Sequence, residues 1–78
     1  MNLANVSLRQ LRAFRAVAEA GGFAAAARRL HLSPSALSLL IKELEAGIDV
    51  RLFDRTTRVT ALSHAGAEFY PLACKVLD

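Results

Sequence analysis

The stretch from His31 to Glu45 constrains the fold more than any other part of the chain. Ser33 is placed to cap a helix, its side-chain oxygen taking an orphan backbone N–H of the first turn. Pro34 then falls at the first helical position, where a missing N–H costs nothing and the fixed φ is already helical. Apolar side chains recur at Leu37, Leu40, Ile41, Leu44 and Ile48, the spacing of one helix face. Ser35, Ser38, Leu39, Lys42 and Ala46 occupy the other side. At about 100° per residue, Ser35 and Leu37 lie about 200° apart. One side must therefore be buried against a scaffold, while the other stays small, hydroxylated and basic.

The residues before this stretch supply a scaffold. Ser7 starts a helix, Gln10 completes a capping box, and Val6 and Leu11 are placed as a hydrophobic staple. Leu8, Leu11, Phe14, Val17 and Ala18 make an apolar stripe, with Arg9, Arg12 and Glu19 outside it. Arg9, Arg12 and Arg15 read as a solvated helix face, with a nucleic-acid backbone contact by one of them as the alternative. Gly21-Gly22 stops this helix, because glycine accepts the left-handed cap. A second helix runs from Phe23 to about Leu30. Its alanines, Ala24 to Ala27, favour helix and add no bulk against a neighbour. Arg28 and Arg29 complement the dipole at its end. His31-Leu32-Ser33 is then a tight turn, so two helices follow one another as a helix-turn-helix. The outer face of the second helix can enter a DNA groove and offer hydrogen bonds there.

Beyond Gly47 the period changes. Leu52-Phe53-Asp54-Arg55 and Val59-Thr60-Ala61-Leu62 predict a small hairpin, with Thr56-Thr57-Arg58 between them. A hairpin after a helix-turn-helix is a wing, here with Arg58 at its tip. Arg55 has three readings: a pair with Glu45, a phosphate contact, or both. Ser63 caps a final helix with two apolar stripes, Ala65, Phe69, Leu72, Val76 and Gly66, Tyr70, Ala73, Leu77. Two stripes call for two partners. One is this domain and the other a second copy, so Phe69, Tyr70, Leu72, Ala73, Val76 and Leu77 are the expected dimerisation residues. Pro71 predicts a bend. The chain ends while still helical in character, as though cut from something longer.

Composition narrows the function. Seventy-eight residues make one domain, whose core supplies roughly 3–5 kcal/mol, so added packing or a partner matters. A hydrophobic fraction of 54% calls for a dense helical core or an apolar surface kept for a partner. The net charge is +3, and most of the basic residues are arginine, which suits phosphate and base edges. Cys74 is the single cysteine, so no intrachain disulfide forms, and it reads as a small buried hydrophobe. With His31 and His64 it gives no metal-ligand spacing, and no metal or cofactor is expected. No apolar run approaches 18 residues and no signal segment is present, which predicts a cytoplasmic protein with no membrane contact. Glu43 and Glu45 lack a companion His or carboxylate, and there is no phosphate loop or nucleophile–base pair, so an enzyme is not expected. Two classes remain: a DNA-binding module, and a winged-helix protein–protein module that never touches DNA. The second would keep the core and the apolar final helix but has no need of hydroxyls and arginines on one side.

The chain resembles the N-terminal DNA-binding domain of LysR-type transcriptional regulators. The likeness runs through Leu8-Arg9-Gln10-Leu11 and Phe14, Gly22-Phe23, Ala26-Ala27 and Leu30. It continues through Ser33-Pro34-Ser35-Ala36-Leu37-Ser38, Ile41, Leu44-Glu45, Leu52-Phe53, Arg55, Leu62-Ser63 and Ala65-Gly66. It implies a mainly α fold: a winged helix-turn-helix over residues 1–62, with a three-helix core and a small β-hairpin wing. Residues 63–78 would begin a long linker helix that makes a homodimer. A separate effector-binding domain, absent here, would take a small-molecule effector. The implied target is double-stranded DNA bearing interrupted palindromes with T and A ends. Pro34, Ser35, Ser38 and Leu39 would face DNA, and Arg55 and its neighbours phosphates or the minor groove. Joined to the reading from the residues, the expected DNA-facing set is Ser33, Pro34, Ser35, Ser38, Leu39, Lys42, Arg55, Thr56 and Arg58. The sequence departs from the family in four places. Pro34 stands where Gln is frequent, and Leu39 or Leu40 where a polar or basic residue is frequent. Asp49 replaces a usual glycine, which leaves two readings: a strained position, or a loop that differs locally. Gly22 replaces a usual serine, a weaker cap. Leu39 is open to two readings, a harmless exposed leucine or a contact to a thymine methyl.

Overall fold

A computed structural model describes residues 4–55 and 60–78. The chain runs α1 (Leu8–Ala20), α2 (Phe23–Leu30), α3 (Pro34–Ile48), β1 (Phe53–Arg55), β2 (Thr60–Leu62) and α4 (His64–Leu77). Local chemistry sets most of these boundaries. At α1, the Gln10 N–H donates to Ser7 Oγ and the Ser7 N–H to Gln10 Oε1, both at 3.1 Å, which completes the capping box. Gly21 ends the helix in the left-handed region at φ 74°. Ser33 Oγ accepts the Ala36 N–H at 3.1 Å, with Pro34 behind it at the start of α3. α2 starts at Gly22 with no side-chain cap, as its glycine implies.

Two helix ends are closed by residues other than glycine. His31 at φ 57° ends α2 and Asp49 at φ 59° ends α3. His and Asp are among the side chains that tolerate this region, though it still costs of order 1 kcal/mol for a side chain with a Cβ. Of the two readings of Asp49, its left-handed backbone fits the strained one, and His31 carries the same strain with no signal for it in the sequence.

The core is built around Phe14, which is fully buried. Its ring centroid lies 5.4 Å from Phe53, 5.3 Å from Phe69 and 6.4 Å from Tyr70. Edge and tilted contacts of this kind each add about 0.5–1.5 kcal/mol beyond area burial. One aromatic residue thus ties α1 to both the hairpin and α4. Leu37, Ile41 and Leu44 of α3 close the core from below, each at 0% exposure. Of the alanine run, only Ala26 and Ala27 are buried, meeting Ala13 and Ala16 of α1 in the same cluster. Ala24 faces out.

β1 and β2 pair antiparallel with Phe53 opposite Leu62, Asp54 opposite Ala61 and Arg55 opposite Thr60. The expected tip residues Thr56 and Arg58, together with Val59, lie outside the described residues, as does the side chain of Arg55.

α4 is one helix through Pro71. Its inward face mixes the two stripes expected from sequence. Gly66, Phe69 and Ala73 are buried, and Tyr70 and Leu77 pack half-buried against the core. These positions follow the i, i+3, i+4, i+7 rule more closely than either predicted stripe. Leu72 and Val76 remain outside, 51% and 59% exposed. α4 also binds α1 through polar groups. Arg15 Nη1 donates to Asp78 Oδ1 at 2.9 Å, and the Tyr70 hydroxyl donates to Glu19 Oε2 at 2.6 Å. Arg15 is thus an inter-helix tie rather than part of a solvated face with Arg9 and Arg12. The hydrogen bond to Glu19, ahead of the neighbouring Cys74, pushes the Tyr70 hydroxyl above the ordinary tyrosine range. Cys74 is half-buried at this seam rather than a core hydrophobe.

A compact knot joins α4 to the approach to the hairpin. Ser63 Oγ donates to the Arg51 carbonyl at 2.6 Å and accepts the Gly66 N–H at 3.0 Å. The Ser63 N–H donates to the Leu52 carbonyl at 2.9 Å. A Cβ on Gly66 would sit 2.0 Å from that same Leu52 oxygen, so the close approach of α4 requires glycine. Gly66→Ala should therefore destabilise the domain by about 3 kcal/mol, since overpacking against backbone outweighs the roughly 1 kcal/mol gain in helix propensity. The urea midpoint of the variant against the parent chain measures this, and an unchanged or raised midpoint would contradict the packing.

Candidate nucleic-acid interface

α3 owes its outward face to its inward one. Leu37, Ile41 and Leu44 are fully enclosed and Ile48 is nearly so, which fixes the rotation of the helix about its axis. Ser35, Ser38, Leu39 and Lys42, at i, i+3, i+4 and i+7, therefore share the opposite side and line one shallow concavity. Ser35 and Lys42 are exposed, Ser38 is half-buried, and Leu39 is 58% exposed. Ser33 and Pro34 are exposed at the leading end of the same helix. The Ser33 hydroxyl already accepts the Ala36 N–H, so its first task is to hold the helix start. The structure thus brings six of the nine expected DNA-facing residues to one helix end and face. The other three, Arg55, Thr56 and Arg58, belong to the hairpin, where only the backbone of Arg55 is described.

The hairpin is pinned to α3 by a contact that sequence reasoning missed. Glu45 Oε2 accepts the Leu52 N–H at 2.7 Å. Leu52 is fully buried, and its amide has left the helix without yet entering the strand pair. Among the alternatives for Arg55, a pair with Glu45 would thus share a carboxylate already engaged by backbone. A signal for this role was present: Glu45 sits in the last turns of α3, where the helix dipole disfavours negative charge. An acid at that end invites a search for a specific donor.

The six expected dimerisation residues separate into two groups. Phe69 and Ala73 belong to the core, with Tyr70 and Leu77 packed against it, because α4 buries that face on Phe14. Leu72 and Val76 stand outside. With Leu8, Leu11 and Val6 they line an apolar groove between the start of α1 and α4, floored by Phe69 and Ala73. Among the described residues, no group of His, Cys, Asp and Glu is placed to hold a metal ion, and no helix is long and apolar enough to cross a membrane.

Comparison with known proteins points the same way. Residues 8–67 match the family model described as bacterial regulatory helix-turn-helix protein, lysR family. The transcriptional regulator TfdT of Cupriavidus pinatubonensis is 46% identical over 72 residues, which is 92% of this chain and 32% of TfdT. The regulator PerR of Escherichia coli is 52% identical over 64 residues, 82% of this chain and 22% of PerR. The chain therefore spans about a third or less of these two relatives. Among solved structures, the CbnR DNA-binding domain in complex with DNA superposes with a TM-score of 0.89 at 43% identity, covering 92% of this chain and 83% of that one.

The Glu45 contact has a measurable consequence. Glu45→Ala leaves the buried Leu52 amide without its charged acceptor and should cost about 1.5–3 kcal/mol, whereas Glu45→Gln keeps a carbonyl acceptor and should recover most of it. Urea unfolding gives the stabilities, and faster hydrogen exchange at Leu52 in the alanine variant locates the loss. Equal stability of all three proteins would show that the contact does not hold the hairpin.

Proposed function

The chain belongs to the lysR family of bacterial regulatory helix-turn-helix proteins, and from that membership we propose how it works as a LysR-type winged helix-turn-helix DNA-binding domain. It binds duplex DNA sequence-specifically, with α3 in the major groove. Ser35, Ser38 and Leu39 meet base edges, Ser33 and Pro34 lead the helix in, and Lys42 meets phosphate. Arg55, Thr56 and Arg58 of the wing lie on the backbone or in the minor groove. The observation that carries this reading is the outward face of α3. Two hydroxyls and an ammonium share one side of a helix whose other side is locked in the core. A module that bound only protein would have no use for that placement. The DNA complex of the CbnR domain supports it by likeness.

The remainder of the proposal concerns the longer protein. Residues 1–62 form the DNA-binding unit, and residues 63–78 open a linker helix whose first turns also serve the core. The whole protein is a cytoplasmic, non-enzymatic transcriptional regulator, and a small-molecule effector acts on a domain outside this chain. Two copies pair through α4, with Leu72 and Val76 closing the apolar groove.

Two measurements test the proposal. Each phosphate contact adds roughly 0.9 to the slope of log affinity against log salt on B-DNA. Lys42→Ala should lower that slope by about 0.9 and weaken all duplexes alike. Affinity that is unchanged between about 50 and 200 mM salt would defeat DNA binding by this face. For pairing, Leu72→Glu alters a side chain 51% exposed, so the domain should stay folded while two copies no longer load together on a palindromic duplex in sedimentation. Undiminished double loading by this variant would move the dimer surface elsewhere.

A further inference from the structure

Four large apolar side chains are exposed among the described residues: Leu8, Leu39, Leu72 and Val76. Three of them, Leu8, Leu72 and Val76, line the single groove between α1 and α4. Leu39 stands apart on α3 at 58% exposure, flanked by Ser35, Ser38 and Lys42. Its surroundings on that face offer hydrogen-bond donors and acceptors and no apolar neighbour among the concavity's other lining residues. The rotation of α3 cannot turn it inward, because Leu37, Ile41 and Leu44 occupy the core without residual exposure.

We propose that Leu39 reads the 5-methyl group of thymine, so that the recognition helix selects thymine at one position of each half-site by apolar contact. The inference rests on the DNA-binding reading and deepens it. In the major groove each base pair presents donors and acceptors, and the thymine methyl is the apolar group among them. Ser35 and Ser38 are short, so they allow α3 close to the base edges, and Leu39 beside them is longer than either. A serine hydroxyl can serve either a donor or an acceptor and discriminates weakly. Leu39 cannot form hydrogen bonds, so its selectivity comes from the methyl alone.

The test is a methyl deletion on the DNA. A duplex selected by the chain from random sequence is remade with each thymine replaced singly by deoxyuridine, which removes only the methyl and keeps the pairing and the carbonyl acceptors. Burial of one methyl-sized group is worth about 0.8 kcal/mol, or roughly a fourfold change in affinity. At one thymine per half-site, the parent chain should lose about fourfold, while Leu39→Ala should bind the thymine and deoxyuridine duplexes equally. Because Leu39 is exposed, an unchanged melting temperature of the variant confirms that folding is not the cause. If the duplex is bound but every deoxyuridine is tolerated within twofold, the proposal is overturned and DNA binding stands. A fourfold loss that persists in Leu39→Ala overturns it equally, because another side chain then reads the methyl. If selection yields no bound duplex at all, the DNA-binding reading fails and this inference falls with it.

Discussion

The functional geometry of this domain depends on the enclosure of three side chains of α3. Leu37, Ile41 and Leu44 have no exposed surface, and together they leave the helix one permitted rotation. Burying each is worth about 1.5–3 kcal/mol, so turning α3 by even one residue would forfeit more than a domain of this size can spare. The hydroxyl-and-lysine face is a by-product of that lock. A helix held less firmly could present the same residues and still not aim them.

Polar contacts then fix what flanks α3. Glu45 holds the Leu52 amide, while the Leu52 carbonyl accepts the Ser63 N–H and lies against Gly66. The two faces of one peptide segment are thus gripped by α3 on one side and α4 on the other. Ser63 adds the Arg51 carbonyl to the same grip. This segment carries the chain out of α3 into the wing, so the wing's base moves only if α3 or α4 moves. Apolar side chains could pack there, but they would leave buried amides unpaired, and an orphaned buried group costs about 1–3 kcal/mol.

The sequence made the helices and hairpin legible because each carries its own local chemistry. The Ser7–Gln10 box, Ser33 with Pro34, and Ser63 all formed the contacts their spacing implied. The strained end of α3 was legible at Asp49 only because a glycine usually stands there, whereas His31 gave no such warning. The non-local contacts were hidden. Nothing in the residues around Glu45 identifies Leu52 as its partner, because that pairing exists only once the chain has reversed at Asp49. Which side of α4 faces inward was not legible for a related reason. Residues 66, 69, 70, 73 and 77 are chosen by the position of Phe14, which hydropathy along α4 cannot report. Arg15 likewise looked solvated until Asp78 came beside it from the far end of the chain.

The same aromatic cluster has a mechanical consequence for pairing through α4. Phe14 touches Phe53 of the hairpin and both Phe69 and Tyr70 of α4, and it shares its core with the buried face of α3. Interiors packed this closely transmit displacement rather than absorb it. The Tyr70–Glu19 and Arg15–Asp78 contacts add two further ties between α4 and α1 along the outer edge of that core. On the proposed pairing, a second copy docked on Leu72 and Val76 would therefore be referenced to α3 through a rigid body, not through a flexible joint. The separation of the two recognition helices would then follow from the angle at which the α4 helices meet. Half-sites one helical turn apart, or a multiple of it, present the same groove to both copies, and other spacings would turn one recognition face away from its bases.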